Sequence, residues 1–299
     1  MALKATVVTL DLTHLPTAIR ERAFDGNQDR IRQVRAANWV SYARASRALD
    51  RLDELIEQPS CARMPCLLLY GESGMGKTMI IEKFERMHPP QFDRSTGTES
   101  RPVVILQMPP GPDERRFFVR ILHTLGAPFS PHWRVDALER AALSALTLVR
   151  TQILVIDEVH QLLAGSAREQ RLSLNLIKSI ANDLRISIVA VGTGDARHAI
   201  ETDPQIRRRF DPFSLPRWTE TEDFRDFVCA FGKLYPLRKA SELGERGLVQ
   251  RLLSASEGIT GPVTRLLSLA AVAAIRSSTE RIDEAGIEKA ATRLEQDAS

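Results

Sequence analysis

Gly71-Glu72-Ser73-Gly74-Met75-Gly76-Lys77-Thr78 fits the pattern G-x-x-x-x-G-K-[ST] without a mismatch. Glycines let the backbone curl so that its N–H groups turn inward around phosphates, and the helix that follows presents its positive end. Gly71, Gly74 and Gly76 shape such a cradle, with Glu72, Ser73 and Met75 between them. Lys77 would reach the β- and γ-phosphates as a point charge, and the Thr78 hydroxyl would ligate Mg²⁺. The flanks agree. Cys66-Leu67-Leu68-Leu69-Tyr70 reads as a buried parallel strand, and Met79-Ile80-Ile81-Glu82-Lys83-Phe84 continues as a helix. The stretch therefore implies a nucleoside triphosphate as ligand.

Outward from the loop, strand-like runs at 66–70, 103–108, 152–157, 186–192 and 213–216 alternate with helical patterns at 77–87, 113–125, 135–149 and 168–184. That alternation argues for an α/β domain whose five-stranded, mainly parallel sheet is covered by helices on both faces. Before it, residues 27–57 carry apolar positions at helical spacing, among them Ala45, Ala48, Leu49, Leu52, Leu55 and Ile56, and predict an amphipathic helical segment. Residues 89–102 are polar and turn-rich and predict a mobile surface loop. After about residue 219 no strand-like run occurs. Helices are expected at 220–235, 242–255, 261–277 and 283–295, punctuated by Pro236, Gly244, Gly258 and Gly261. The predicted organisation is an N-terminal extension over 1–38, a nucleotide-binding α/β domain over 39–218, and a small all-helical lid over 219–299.

Ile153-Leu154-Val155-Ile156-Asp157-Glu158 is four apolar residues ending in two carboxylates. Beside a phosphate loop, Asp157 would bind Mg²⁺ directly or through water, and Glu158 would polarise an attacking water. An isolated Asp-Glu at a strand end is explained equally well as a turn or helix cap; the complete phosphate loop upstream, with the strand Val103–Met108 between, shifts the balance to hydrolysis. Ile186–Val191 then leads into Gly192-Thr193-Gly194, where Thr193 is placed to hold the water or sense the γ-phosphate, while the glycines make the turn. Three arginines follow, Arg207, Arg208 and Arg209. A charge run is usually a solvated face, but here an arginine, taken as Arg209, would enter a neighbouring subunit's site as a finger, worth roughly 10³–10⁵ in rate where such fingers act. In the helical region, Gly261-Pro262-Val263-Thr264-Arg265 opens a helix, and Arg265 would touch the γ-phosphate or lie on a surface.

Bulk properties narrow the class. The chain has 299 residues, 43% hydrophobic and 26% charged, which suits a folded globular protein with a substantial core. Its net charge of +3 permits contact with a polyanion without demanding it. Cys61, Cys66 and Cys229 form an odd set without ligand spacing, and the six histidines are scattered, so neither a disulfide framework nor a zinc site is expected. No window is long and apolar enough to span a bilayer, and Met1–Arg20 lacks the form of a signal peptide, so a cytoplasmic protein is expected.

Phosphate loop, Asp-Glu strand, first sensor, arginine finger and a helical lid with a second sensor, in this order, resemble an AAA+ ATPase. Within that superfamily the chain resembles the TniB and TnsC group of transposition ATPases, related more distantly to MuB and IstB. Carrying this are Trp39-Val40-Ser41-Tyr42, Arg63-Met64-Pro65 before the first strand, Ile156-Asp157-Glu158-Val159-His160, Val191-Gly192-Thr193, and Arg209-Phe210 followed by Leu215-Pro216-Arg217-Trp218. The resemblance implies an ATP- and Mg²⁺-dependent ATPase that assembles as a homo-oligomer, ring or helical filament, on duplex DNA. It implies a transposase and a target-selection protein of the same element as partners, and disassembly driven by hydrolysis. It also implies phosphate-backbone contacts from the stretch Pro109–Pro131, with Arg115, Arg116 and Arg120, and from Arg134.

Asp157-Glu158-Val159-His160 also has the look of a helicase box, but a single nucleotide domain with a small lid argues against that assignment. A replication- or clamp-loader ATPase shares every motif named above, and a non-catalytic assembly protein could use ATP only as glue.

Overall fold

The computed structural model describes residues 11–36, 38–201 and 204–298. The chain divides into two compact units, Arg44–Pro216, and Met1–Ala43 together with Arg217–Ser299. In chain order, α1 (Thr17–Arg20) and a 3₁₀ turn (Glu21–Phe24) lead to α2 (Asn27–Arg35) and α3 (Ala43–Glu57). β1 (Cys66–Gly71) runs through the phosphate loop into α4 (Lys77–Met87), followed by a hairpin of β2 (Gln91–Asp93) and β3 (Thr98–Ser100). Next come β4 (Val103–Gln107), α5 (Glu114–Thr124), α6 (Val135–Leu148) and β5 (Ile153–Asp157). A 3₁₀ segment (Val159–Ala164), α7 (Ala167–Leu184), β6 (Ser187–Gly192), α8 (Gly194–Glu201), α9 (Pro204–Arg207) and β7 (Phe210–Leu215) complete the first of these units. The second closes with α10 (Glu222–Gly232), α11 (Arg246–Ser256), α12 (Thr260–Ser277) and α13 (Glu284–Ala298).

The α/β unit is built on a five-stranded sheet of order β4-β5-β6-β1-β7, every adjacent pair parallel. Helices cover both faces, so the central strands carry no alternation, and β5 and β6 are buried at every position. Phe117, Phe118, Ile121 and Leu122 of α5 and Leu138, Ala142 and Leu146 of α6 pack into this core. Burying each of the larger side chains contributes about 1.5–3 kcal/mol. Because all five strands run the same way, their carboxyl ends share one edge, where α/β proteins bind their ligands. The phosphate loop after β1, Asp157 at the end of β5 and Thr193 after β6 consequently lie on that edge.

The other unit is helical. Phe224, Phe227, Val228 and Phe231 of α10 pack with Val263, Leu266, Leu267 and Ile275 of α12 and Ile287 of α13. The Trp218 ring stacks on Phe227 at 5.0 Å between centroids and meets the Tyr42 ring, tilted, at 4.9 Å. The described part of the stretch expected as an N-terminal extension packs here too. Arg30 of α2 is fully buried and pairs with Glu280, and Val34 joins the core. No described helix is long and apolar enough to cross a membrane.

Three expectations change. The helical segment over 27–57 is two helices, broken where Tyr42 turns its ring onto Trp218 and Phe227. The stretch 89–102 folds as a hairpin rather than a loop. Asp93 accepts from the Ser95 N–H and hydroxyl at 2.8 and 2.6 Å, and the Gly97 N–H closes onto the Asp93 carbonyl at 2.9 Å with Gly97 at φ 68°. β7 begins at Phe210, earlier than the expected 213, because Pro212 sits on an edge strand where its missing donor is tolerated.

Candidate nucleotide site

The cradle is made by backbone geometry. Gly74 and Gly76 adopt φ 80° and 86°, the left-handed region that side chains disfavour. Gly71 is needed for another reason. It pairs with Leu215 of β7, and a Cβ at residue 71 would lie 2.5 Å from the Leu215 carbonyl oxygen. Immediately after Gly76 the chain enters α4, so the first N–H groups of an eleven-residue helix face the loop.

The buried Lys77 ammonium donates to the Gly71 and Glu72 carbonyls at 2.8 and 2.7 Å, which holds it over the loop. Burial lowers its proton affinity, and the nearby carboxylates of Asp157 and Glu158 oppose that shift. The Thr78 hydroxyl donates to Asp157 Oδ2 at 3.1 Å, bringing together the two oxygens expected to share a metal. Asp157 Oδ1 accepts from the Glu158 N–H at 2.8 Å, so the carboxylate is fixed at both oxygens. Two protein oxygens suit Mg²⁺, which retains waters and phosphate oxygens around itself. Together, two left-handed glycines, a buried ammonium and a hydroxyl–carboxylate pair fit a nucleoside triphosphate.

Glu158 follows at φ 57°, a left-handed turn that ends β5 and starts the 3₁₀ segment. One of its oxygens lies 3.1 Å from His160 Nε2. Thr193 is half-buried after β6, with its hydroxyl 3.5 Å from Asp195. These residues, Lys77, Thr78, Asp157, Glu158 and Thr193, come from one sheet edge of one unit.

The remaining expected residues are distributed differently. Arg209 is turned inward: its Nη2 donates to Asn182 at 2.8 Å, while Nε and Nη1 are buried without a partner. It borders an apolar cavity with Cys66, Ile177 and Phe210. Arg207 and Arg208 are exposed. Arg265 is exposed on α12 and belongs to the helical unit. Arg115 donates to the carbonyls of Trp133, at 2.7 Å, and Pro131; Arg116 pairs with Asp113 at 3.4 Å; Arg134 is exposed at the start of α6. Arg115, Arg116, Arg120 and His123 line an open cavity of about 810 Å³ beside Phe129.

Two residues near the site went unread as functional. Arg197 of α8 lies 5.8 Å over the Tyr70 ring and donates to its hydroxyl at 3.3 Å, just before the phosphate loop. His160 was present in the Asp157–His160 string, but its approach to Glu158 depends on the left-handed turn that Glu158 makes at the end of β5.

Comparison with known proteins agrees with this architecture. The profile of the family described as "Bacterial TniB protein" matches residues 30–220. Among solved structures, the Aeropyrum pernix ORC1 protein in complex with DNA superposes with a TM-score of 0.61 at 19% identity, covering 86% of this chain and 67% of that one. The Aeropyrum pernix ORC2 protein does so at 0.59 and 17%, covering 87% and 71%. The Thermotoga maritima RuvB Holliday junction branch migration motor does so at 0.52 and 14%, covering 88% and 73%. At these identities the likeness is one of fold. A chloroplastic ClpA homolog from Brassica napus, the ATP-binding subunit of an ATP-dependent Clp protease, is 29% identical over 160 residues; the match spans 53% of this chain and only 16% of that protein. The family match over the α/β unit, its sheet order and its phosphate loop lead to one conclusion: the chain belongs to the TniB family and has the AAA+ fold.

Proposed function

We propose that this protein is an ATP-dependent regulator of DNA transposition, which assembles on duplex DNA, engages a transposase and a target-selection protein, and uses hydrolysis to come apart. The observation that carries the reading is the convergence of Lys77, Thr78, Asp157 and Glu158 on one sheet edge of a TniB-family chain.

In this reading Lys77 leaves its two loop carbonyls to hold the β- and γ-phosphates, and the N–H groups of Gly74 to Thr78 wrap them. Mg²⁺, held by Thr78 and Asp157, would neutralise charge on the phosphate oxygens. Glu158 takes a proton from the attacking water, and Thr193 orients that water or the γ-phosphate. Arg265 is the residue assigned to sensing the γ-phosphate. The finger comes from Arg207–Arg209. Arg207 and Arg208 are the exposed pair, and Arg209 would have to leave Asn182 to serve. A site completed by a neighbour's arginine ties turnover to a head-to-tail interface, which closes as a ring or continues as a filament.

DNA would be held through Arg115, Arg116 and Arg134 at its phosphates, without base readout. Electron microscopy with a non-hydrolysable ATP analogue tests the assembly: rings or filaments on duplex DNA are expected, and monomers with and without DNA would refute it. Glu158→Gln should cut turnover to a small residual rate while preserving ATP-dependent DNA binding. A wild-type protein with no turnover in the presence of DNA and transposase would refute the hydrolytic role.

A further inference from the structure

The 3₁₀ segment after β5 places a second ionisable side chain against Glu158. His160 Nε2 lies 3.1 Å from Glu158 Oε2. The ring lies against Gly192 at the end of β6, where an added Cβ would meet His160 Nδ1 at 3.4 Å, an ordinary van der Waals contact, and would press on Ala196 Cβ at 2.7 Å. The Gln161 N–H donates to the Glu158 carbonyl at 2.9 Å and closes the turn that sets the two side chains side by side.

The chemistry of the ring selects its proton. Nδ1 is buried without a partner. The Glu158 carboxylate oxygen accepts, so the hydrogen bond requires a hydrogen on Nε2. Glu158, meanwhile, acts electrostatically on Lys77 across the site. The carboxylate is thus held from the side by one hydrogen bond while its charge stays within reach of the phosphate loop.

We propose that His160 is a positioning residue: by donating from Nε2 to Glu158 Oε2 it holds the carboxylate in one rotamer, leaving Oε1 as the oxygen that receives the proton of the attacking water. The ring also lies against Gly192, which precedes Thr193 in the chain. This inference rests on the hydrolytic role of Glu158 proposed above, and touches neither phosphate binding nor the metal ligands.

The test is steady-state ATP turnover of the full chain with duplex DNA, alongside binding of a non-hydrolysable analogue. His160→Ala is expected to lower kcat about tenfold, a part of the 10²–10⁴ that a positioned base supplies, with KM and analogue affinity within about twofold of wild type. His160→Gln, whose amide can donate from a similar place, should recover most of kcat. In a Glu158→Gln background, the His160→Ala substitution should change the residual rate by less than about twofold, because the group it positions is gone. Wild-type kcat in His160→Ala, a loss that His160→Gln does not restore, or an undiminished loss in the Glu158→Gln background would each overturn the role of His160 alone. Absence of turnover in the wild type would overturn the hydrolytic reading and this inference with it. Thermal unfolding of each variant separates these outcomes from misfolding, and His160→Gln keeps the comparison available if His160→Ala does not fold.

Discussion

Two glycines of the phosphate loop look interchangeable in the motif yet do different work. Gly76 has open space around its missing side chain and is required only for its left-handed backbone, so Gly76→Ala should cost about 1–2 kcal/mol of stability. Gly71 faces the Leu215 carbonyl of β7 at 2.5 Å from an added Cβ, a backbone contact that cannot rotate away. Gly71→Ala should therefore destabilise by about 1–3 kcal/mol through overpacking and loosen the edge strand β7. Denaturant unfolding of both variants, with hydrogen exchange of 210–215, checks the distinction. A selective rise in exchange along β7 is expected for Gly71→Ala only. The pattern G-x-x-x-x-G-K-[ST] made these residues visible; the reason for Gly71 required the partner strand.

At the scale of elements, α2 is anchored by one buried ion pair. Arg30 Nη1 lies 3.0 Å from Glu280 Oε1, and its Nη2 bonds the other oxygen. Its Nε donates to the Pro236 carbonyl at 3.1 Å, and the Arg238 N–H reaches Glu280 Oε2 at 3.2 Å. Breaking such a pair leaves a buried charge uncompensated, so Arg30→Ala should cost the helical unit about 3–5 kcal/mol in urea unfolding. Glu280 also predicts a pH dependence. Burial alone would raise its pKa, but hydrogen bonds from Arg30 and Arg238 outweigh burial and hold it below the ordinary 4.5. A depressed carboxylate stabilises fully above its unfolded pKa, so this contribution is intact above pH 4.5 and is lost as pH falls through the folded value. Urea midpoints measured at falling pH should drop below 4.5, and Glu280→Gln should remove that part of the drop. Nothing in the sequence paired an arginine at 30 with a glutamate at 280, because the contact joins the two ends of the described chain. The hairpin at 91–100 was missed differently: its polar composition matches a loop, and the turn formed by Asp93, Ser95 and Gly97 decided otherwise.

For the whole molecule, the proposed DNA contacts predict a salt dependence rather than a sequence preference. Each phosphate contact removed should reduce the slope of log affinity against log salt by about 0.9. Arg116→Ala and Arg134→Ala, whose side chains lie at the surface, should each lower that slope by up to this amount and weaken binding alike on unrelated duplexes. Arg115→Ala should do more, since Arg115 also holds the Pro131 and Trp133 carbonyls of the loop that leads to Arg134. Fluorescence anisotropy at several salt concentrations on two unrelated duplexes measures both quantities. A sequence-dependent loss would argue against backbone contact.

The sequence by itself determined the phosphate loop, the Asp157-Glu158 strand end, the alternation of strands and helices, and the helical character after residue 219. Those features are local: glycine spacing, runs of apolar residues and strand-end carboxylates act within a few residues of chain. Tertiary structure alone decided that Arg209 faces Asn182 while Arg207 and Arg208 face solvent, that Gly71 yields space to β7, and that the described residues before α3 fold with the C-terminal helices. Each depends on which distant segment arrives beside the residue, and burial, close approach and hydrogen-bond partners are properties of that meeting.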